Sequence, residues 1–63
     1  MTTELINLIE ENIQDNVFYL TQIQENIPDN YPAKKDFVNE TEKSIQFMLN
    51  LKTKIENELQ FNL

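Results

Sequence analysis

The sequence predicts an all-α protein, an antiparallel helical hairpin of two long helices that dimerises into a four-helix bundle. Apolar residues recur at alternating intervals of three and four in two separate segments, the spacing of helices that pack along one seam. Both prolines of the 63-residue chain lie between those segments, and the chain contains no glycine. With no cysteine or histidine to supply a disulfide or a conventional zinc site, self-association is the common remaining way to complete so small a core.

The first helix is predicted over residues 3–26. Thr2 or Thr3 can cap its start, because a threonine hydroxyl accepts a hydrogen bond from a free N–H of the first turn. Pro28 disfavours the α conformation for the residue before it, so the helix should end near Asn26. The seam of this helix is predicted at Ile6, Ile9, Ile13, Asn16, Leu20, Ile23 and Ile27.

The second helix is predicted over residues 36–61, with 27–35 as the turn. A start at Asp36 as N-cap is favoured, because an earlier start would place Lys34 and Lys35 at the positive end of the helix dipole. The seam repeats the three and four spacing at Val38, Thr41, Ile45, Met48, Lys52, Ile55 and Leu59.

Residues 1–63 are predicted to form a single domain, because a chain this short supports one core at most. One continuous coiled coil is the alternative, and the two prolines within five residues argue against it. The predicted core of the bundle consists of Leu5, Ile6, Ile9, Ile13, Leu20, Ile23, Ile45, Met48, Ile55 and Leu59. Asn16 and Lys52 interrupt the seams, and we interpret them as setting the register of packing, the alternative being a polar ligand pocket.

A second set of apolar residues does not fit one seam. Its members are predicted to mediate self-association or to bind a partner, because two helices packed once cannot cover them all. These residues are Phe18, Tyr19, Phe47, Leu51 and Phe61. Either a second copy of the chain or a different protein should cover them.

The charge is unevenly distributed. The net charge is −6, and the first helix carries five acidic residues and no lysine. Glu10, Glu11 and Asp15 are the candidate acidic face for a basic protein partner, with a solvated helix exterior that meets lysines of its neighbour as the plainer alternative. Direct nucleic-acid binding is not expected, because phosphate neutralisation supplies most of that affinity, and anionic membrane surfaces are disfavoured for the same reason.

The residues needed for common catalytic sites are missing from the sequence. There is no histidine, cysteine, arginine or glycine, and hence no conventional base, thiolate, guanidinium clamp or phosphate loop. We therefore expect no enzymatic activity, cofactor or metal. The longest apolar run, Val17 to Leu20, is far too short to cross a bilayer, and the acidic N-terminal flank does not suit a signal peptide, so a cytoplasmic location is expected.

The predicted function is a small non-catalytic protein–protein interaction or regulatory module that acts as a homodimer. One alternative is an acidic inhibitor that mimics nucleic acid and blocks a nucleic-acid-binding protein. Another is a small phosphatase-like regulator, since the phosphatases that act on sporulation response regulators are also small helical hairpins. The segment KSIQFML at residues 43–49 lacks the Ser-Gln-Glu-Leu-Asp signature of those proteins, so only size and shape are shared.

Overall fold

The protein is a hairpin of two long helices. The computed structural model describes the backbone of residues 2–62 and the side chains of residues 3–59. Helix α1 spans Thr2–Asn26 and helix α2 spans Lys34–Asn62, and the two pack against each other along their lengths. The predicted all-α hairpin is confirmed. No helix within the described residues is both long enough and apolar enough to cross a membrane.

The two helices meet along the predicted seam. Every seam residue on both helices is buried or half-buried, including the polar residues Asn16, Thr41 and Lys52. Ile9 is the most enclosed, at 4% exposure, and burying such a side chain stabilises the fold by about 1.5–3 kcal/mol. The other seam residues keep part of their surface in solvent, because each helix has only one neighbour.

Leu5 departs from the predicted core. Its side chain is 45% exposed in the hairpin, although it was expected in the core of a bundle. Leu5 immediately precedes Ile6 in the sequence, and successive residues of a helix are rotated by about 100°, so its side chain is directed away from the seam. A single opposing helix does not reach that far around α1.

The chain reverses direction through two consecutive turns. The N–H of Tyr31 donates to the carbonyl oxygen of Pro28 at 3.0 Å, and the N–H of Lys34 donates to the carbonyl oxygen of Tyr31 at 3.1 Å. Pro32 is the second residue of the latter turn, where its fixed φ is favourable. No described residue has a positive φ, which explains how a chain without glycine can make this reversal.

Helix α2 begins at Lys34, two residues before the predicted start at Asp36. The N–H of Phe37 already donates to the carbonyl oxygen of Ala33 at 3.0 Å, so Ala33 occupies the cap position and Asp36 lies in the first turn. An acidic residue is favourable there. The expected conflict between Lys34 and the dipole of α2 is relieved, because its side chain points to the other helix.

The ammonium group of Lys34 caps the C-terminal end of α1. Its Nζ donates to the carbonyl oxygen of Gln24 at 3.0 Å and to Oδ1 of Asp29 at 2.7 Å. In a continuous helix the Gln24 carbonyl would accept from the N–H of residue 28, but Pro28 has none. Lys34 therefore replaces the missing donor, and its positive charge lies at the negative end of the dipole of α1.

This capping contact encloses one of its partners and leaves the other in solvent. The Lys34 side chain is 12% exposed, whereas the Asp29 side chain is 99% exposed. The hydrogen bond from Lys34, reinforced by its charge, lowers the pKa of the Asp29 carboxyl below its ordinary value. The turn is thus tied to both helices by one lysine.

Candidate interaction surface

A second stripe of side chains runs along each helix. Each of its members immediately precedes a seam residue in the sequence. Because residues three and four apart are neighbours on a helix, the members of each stripe share one side. On α1 the stripe consists of Leu5, Leu8, Asn12, Asp15, Tyr19, Gln22 and Asn26. On α2 it consists of Phe37, Glu40, Ser44, Phe47, Leu51, Lys54 and Glu58. We call the two stripes together the groove face.

The two stripes lie on the same side of the hairpin. An open groove of about 460 Å³ joins them, with Asn12 contributed by α1 and Ser44 and Phe47 contributed by α2. Asn16, Glu40, Lys43 and Met48 complete its lining. The groove therefore shows that the residues preceding the seam lie on the same side of the hairpin on both helices, as antiparallel packing requires.

Large apolar side chains on the groove face are left in solvent. Phe47 is 66% exposed, Leu8 is 62% exposed and Tyr19 is 56% exposed. Near the turn, the rings of Phe37 and Tyr31 lie 6.3 Å apart and both remain more than 40% exposed. These exposed apolar side chains alternate with polar ones such as Asn12 and Ser44. An exposed apolar surface with polar residues around it is typical of a face that packs against another protein.

The opposite side of the seam carries an ion pair between the helices. Nζ of Lys52 lies 3.7 Å from Oε1 of Glu10 and 3.8 Å from Oε1 of Glu56. These distances and the partial exposure of the groups indicate a modest contribution to the stability of the fold, about 0–1 kcal/mol for a pair of this kind. We call this side the ion-pair face, and its exposed large apolar residues are Val17 and Leu49.

The outermost side of α1 carries a row of residues spaced seven apart. The row consists of Glu4, Glu11, Phe18 and Glu25, and all four side chains are exposed. Phe18 is 59% exposed, and its ring meets the ring of Tyr19 edge to face at 6.2 Å. We call these four residues the outer row. It places an aromatic side chain between carboxylates about 10 Å away on either side.

The three acids predicted as one face lie on three different sides of α1. Glu10 faces Lys52 on the ion-pair face, Glu11 belongs to the outer row, and Asp15 belongs to the groove face. Neither Glu11 nor Asp15 has a lysine nitrogen within 4 Å among the side chains that the structure describes. Glu11 and Asp15 are still neighbours, one turn apart.

The polar seam residues make different contacts. The side-chain amide of Asn16 donates to the carbonyl oxygen of Asn12 at 2.9 Å and to its Oδ1 at 3.0 Å, so both bonds stay within α1. Lys52 instead reaches across to α1. Within the hairpin, Lys52 thus links the two helices directly, whereas the hydrogen bonds of Asn16 do not.

The residues predicted for self-association or partner binding fall into two groups. Tyr19, Phe47 and Leu51 lie on the groove face, whereas Phe18 lies in the outer row. The side chain of Phe61 lies outside the described residues. Phe37 was not predicted to belong to this surface, although its position three residues before Glu40 places it on the same side of α2.

The described part of the chain contains no group of three or more carboxylates close enough to hold a metal ion. Three comparisons with known proteins gave no significant match, whether to a family model, to a curated protein or to a solved structure. The surfaces of the hairpin are therefore the basis for a functional argument.

Proposed function

We propose that this chain is a non-catalytic protein–protein interaction module that acts as a homodimer. The observation that carries the proposal is the exposed area of the single hairpin, 5139 Å². A compact monomer of 7.5 kDa exposes about 4,200 Å² on the general scaling of surface with mass. The excess of about 900 Å² is close to the roughly 800 Å² that each partner contributes to a standard protein interface.

The weak core supports the same proposal. Among the described side chains, Ile9 alone is less than a tenth exposed, whereas a stable small domain usually needs several such residues. A second hairpin would enclose the half-buried seam residues from the open side. Dimerisation would thus complete a four-helix bundle.

The outer row is the surface that we assign to a different protein. Its three glutamates attract a basic partner, and Phe18 supplies an aromatic anchor of the kind that dominates interface energies. A dimer that packs through another face leaves this row exposed on both copies. We therefore expect the partner to present basic residues around an apolar pocket.

Mimicry of nucleic acid is the alternative use of these carboxylates, and their spacing disfavours it. Neighbouring glutamates of the outer row are at least seven residues apart, or about 10 Å along the helix. One strand of a DNA duplex carries a phosphate charge about every 3.4 Å. The row is thus about three times too sparse to imitate a phosphate backbone.

Sedimentation equilibrium at micromolar concentration tests the dimer. The expected result is twice the chain mass, with a melting temperature that rises with protein concentration. A monomer whose cooperative melt does not depend on concentration would refute it.

Affinity capture from the native cell tests the partner surface. Phe18→Ala should abolish capture of the partner, whereas Val17→Ala, the adjacent exposed residue on another side of α1, should retain it. Equal capture by both variants would exclude the outer row as the binding surface.

A further inference from the structure

We propose that two copies pack groove face against groove face, with α1 of one copy against α2 of its partner, so that both turns lie at the same end of the bundle. The inference rests on the proposed homodimer and specifies its geometry. Two features of the hairpin carry it, the position of the exposed apolar area and the distribution of charge.

The apolar area selects the groove face. Phe47, Leu8 and Tyr19 are each more than half exposed there, and they belong to stripes that span both helices. On the ion-pair face, the exposed large apolar residues Val17 and Leu49 flank charged groups that already pair with each other. Packing through the groove face thus removes more apolar surface from water and leaves the Lys52 pairs solvated. The groove face has one ion pair of its own, Glu40 with Lys43 at 3.6 Å, and both side chains are 75% exposed.

The groove is an open space that side chains of a second copy can occupy. Its volume of about 460 Å³ is open to solvent, and its lining combines Phe47 and Met48 with five polar residues. A second groove face would bring large side chains of its own to this space, Phe47 and Tyr19, the latter being level with Lys43 when Glu10 is level with Lys52. Two-fold symmetry makes the contact reciprocal, so each copy fills the groove of the other.

Charge then selects the orientation. Helix α1 has five acidic residues and no lysine, whereas all five lysines of the chain lie in α2. Packing α1 against α1 of the partner would bring two acidic helices together, and the two copies of Asp15 would meet near the middle of the interface. Packing α1 against α2 of the partner avoids this repulsion, because the five lysines of α2 balance its five acidic residues.

The position of each residue along the long axis of the hairpin determines which residues meet across the proposed interface. Because Glu10 meets Lys52, Asp15 lies level with Phe47, five residues further along α1 and five residues back along α2. A two-fold axis parallel to the helices preserves these levels. Asp15 of one copy then lies within about one turn of Lys43 of the other, which is 75% exposed in the single hairpin.

A spin label at the turn distinguishes the two orientations. The chain has no cysteine, so Asn30→Cys at the exposed turn provides a unique attachment site. Pulsed electron–electron double resonance on the labelled dimer should give a distance between the two labels below about 25 Å, since neighbouring helices lie about 10 Å apart. A separation of about 50 Å, comparable to the 51 Å length of the hairpin, would overturn the proposed orientation while leaving the dimer in place.

Matched substitutions test the face. Phe47→Ala should raise the dissociation constant of the dimer at least about tenfold, as expected for an aromatic residue central to an interface. Leu49→Ala, on the ion-pair face, should change it less than about twofold. Equal effects of the two would overturn the groove face as the interface, and a wild-type chain that is monomeric at all concentrations would overturn the proposed function itself.

Discussion

Nζ of Lys34 lies 3.0 Å from the carbonyl oxygen of Gln24 and supplies the donor that Pro28 lacks. The residue that ends the first helix and the residue that begins the second are thus complementary. Without Lys34, this carbonyl would lose its protein donor at the one position where proline prevents a backbone bond. The turn is held by a side chain as well as by its own backbone.

Lys34→Ala should destabilise the hairpin by about 1–3 kcal/mol, because it removes a charge-assisted hydrogen bond from a largely enclosed ammonium. Lys35→Ala is the matched control, since Lys35 is exposed and adjacent, and it should change stability by less than about 0.5 kcal/mol. Urea unfolding followed by circular dichroism measures both. Similar losses for the two variants would contradict the capping role.

Pro28→Ala should make Lys34 less important, because alanine restores an N–H that can bond to Gln24. We expect a double-mutant cycle to show coupling of about 0.5–2 kcal/mol between the two positions. The loss caused by Lys34→Ala should be smaller in the Pro28→Ala background than in the wild type. Strict additivity would show that the lysine acts on stability by another route.

The contact between Asp29 and Lys34 should make part of the stability depend on acid. The pKa of Asp29 is lowered in the folded state, so its contribution is present above the ordinary value of 3.8 and is lost as pH falls through the lower folded value. The difference in unfolding free energy between wild type and Asp29→Asn should therefore shrink below pH 3.8. Denaturant titrations from neutral to acidic pH measure this difference, and a constant difference would contradict the linkage.

Ile9→Ala should cost about 2–5 kcal/mol, because it opens a cavity at the most enclosed position of the seam. Glu11→Ala, on the outer row two residues away, should change stability by less than about 0.5 kcal/mol. Thermal melts at equal concentration compare them. Equal shifts in melting temperature would mean that the seam is wrongly drawn.

Asn16→Ile should raise stability while making the assembly less uniform. Asn16 is a half-buried seam residue whose hydrogen bonds stay within α1, so an apolar replacement gains packing and loses no bond between the helices. A polar residue in a seam specifies register and oligomer state at a cost in stability. Analytical ultracentrifugation should detect additional species, and a single, more stable species would exclude the register role.

The seam was predictable because the alternating spacing of three and four residues persists through three polar residues. Asn16, Thr41 and Lys52 were placed in the seam by spacing alone, and all three are half-buried in the hairpin. The capping contact of Lys34 was not predicted, because sequence reasoning weighed this lysine only against the dipole of its own helix. The missing N–H of Pro28 was the signal that could have indicated a donor from elsewhere.

The groove face was predictable only in part. Helical spacing places Phe47 and Leu51 on one side of α2, and Leu8 and Tyr19 along one flank of α1. Antiparallel packing of the two seams places these flanks on the same side of the hairpin, but this follows only when both helices and their directions are considered together. The groove between Asn12 and Ser44 shows this arrangement.

Ile9 is the one buried side chain among residues 3–59, and this has a consequence for how the protein accumulates in a cell. If folding is completed by a second copy, the folded fraction rises with the amount of chain present. A newly made chain at low abundance would spend more time open to proteases than the same chain at high abundance. Turnover would then fall as synthesis rises, and the protein would accumulate above a threshold of expression.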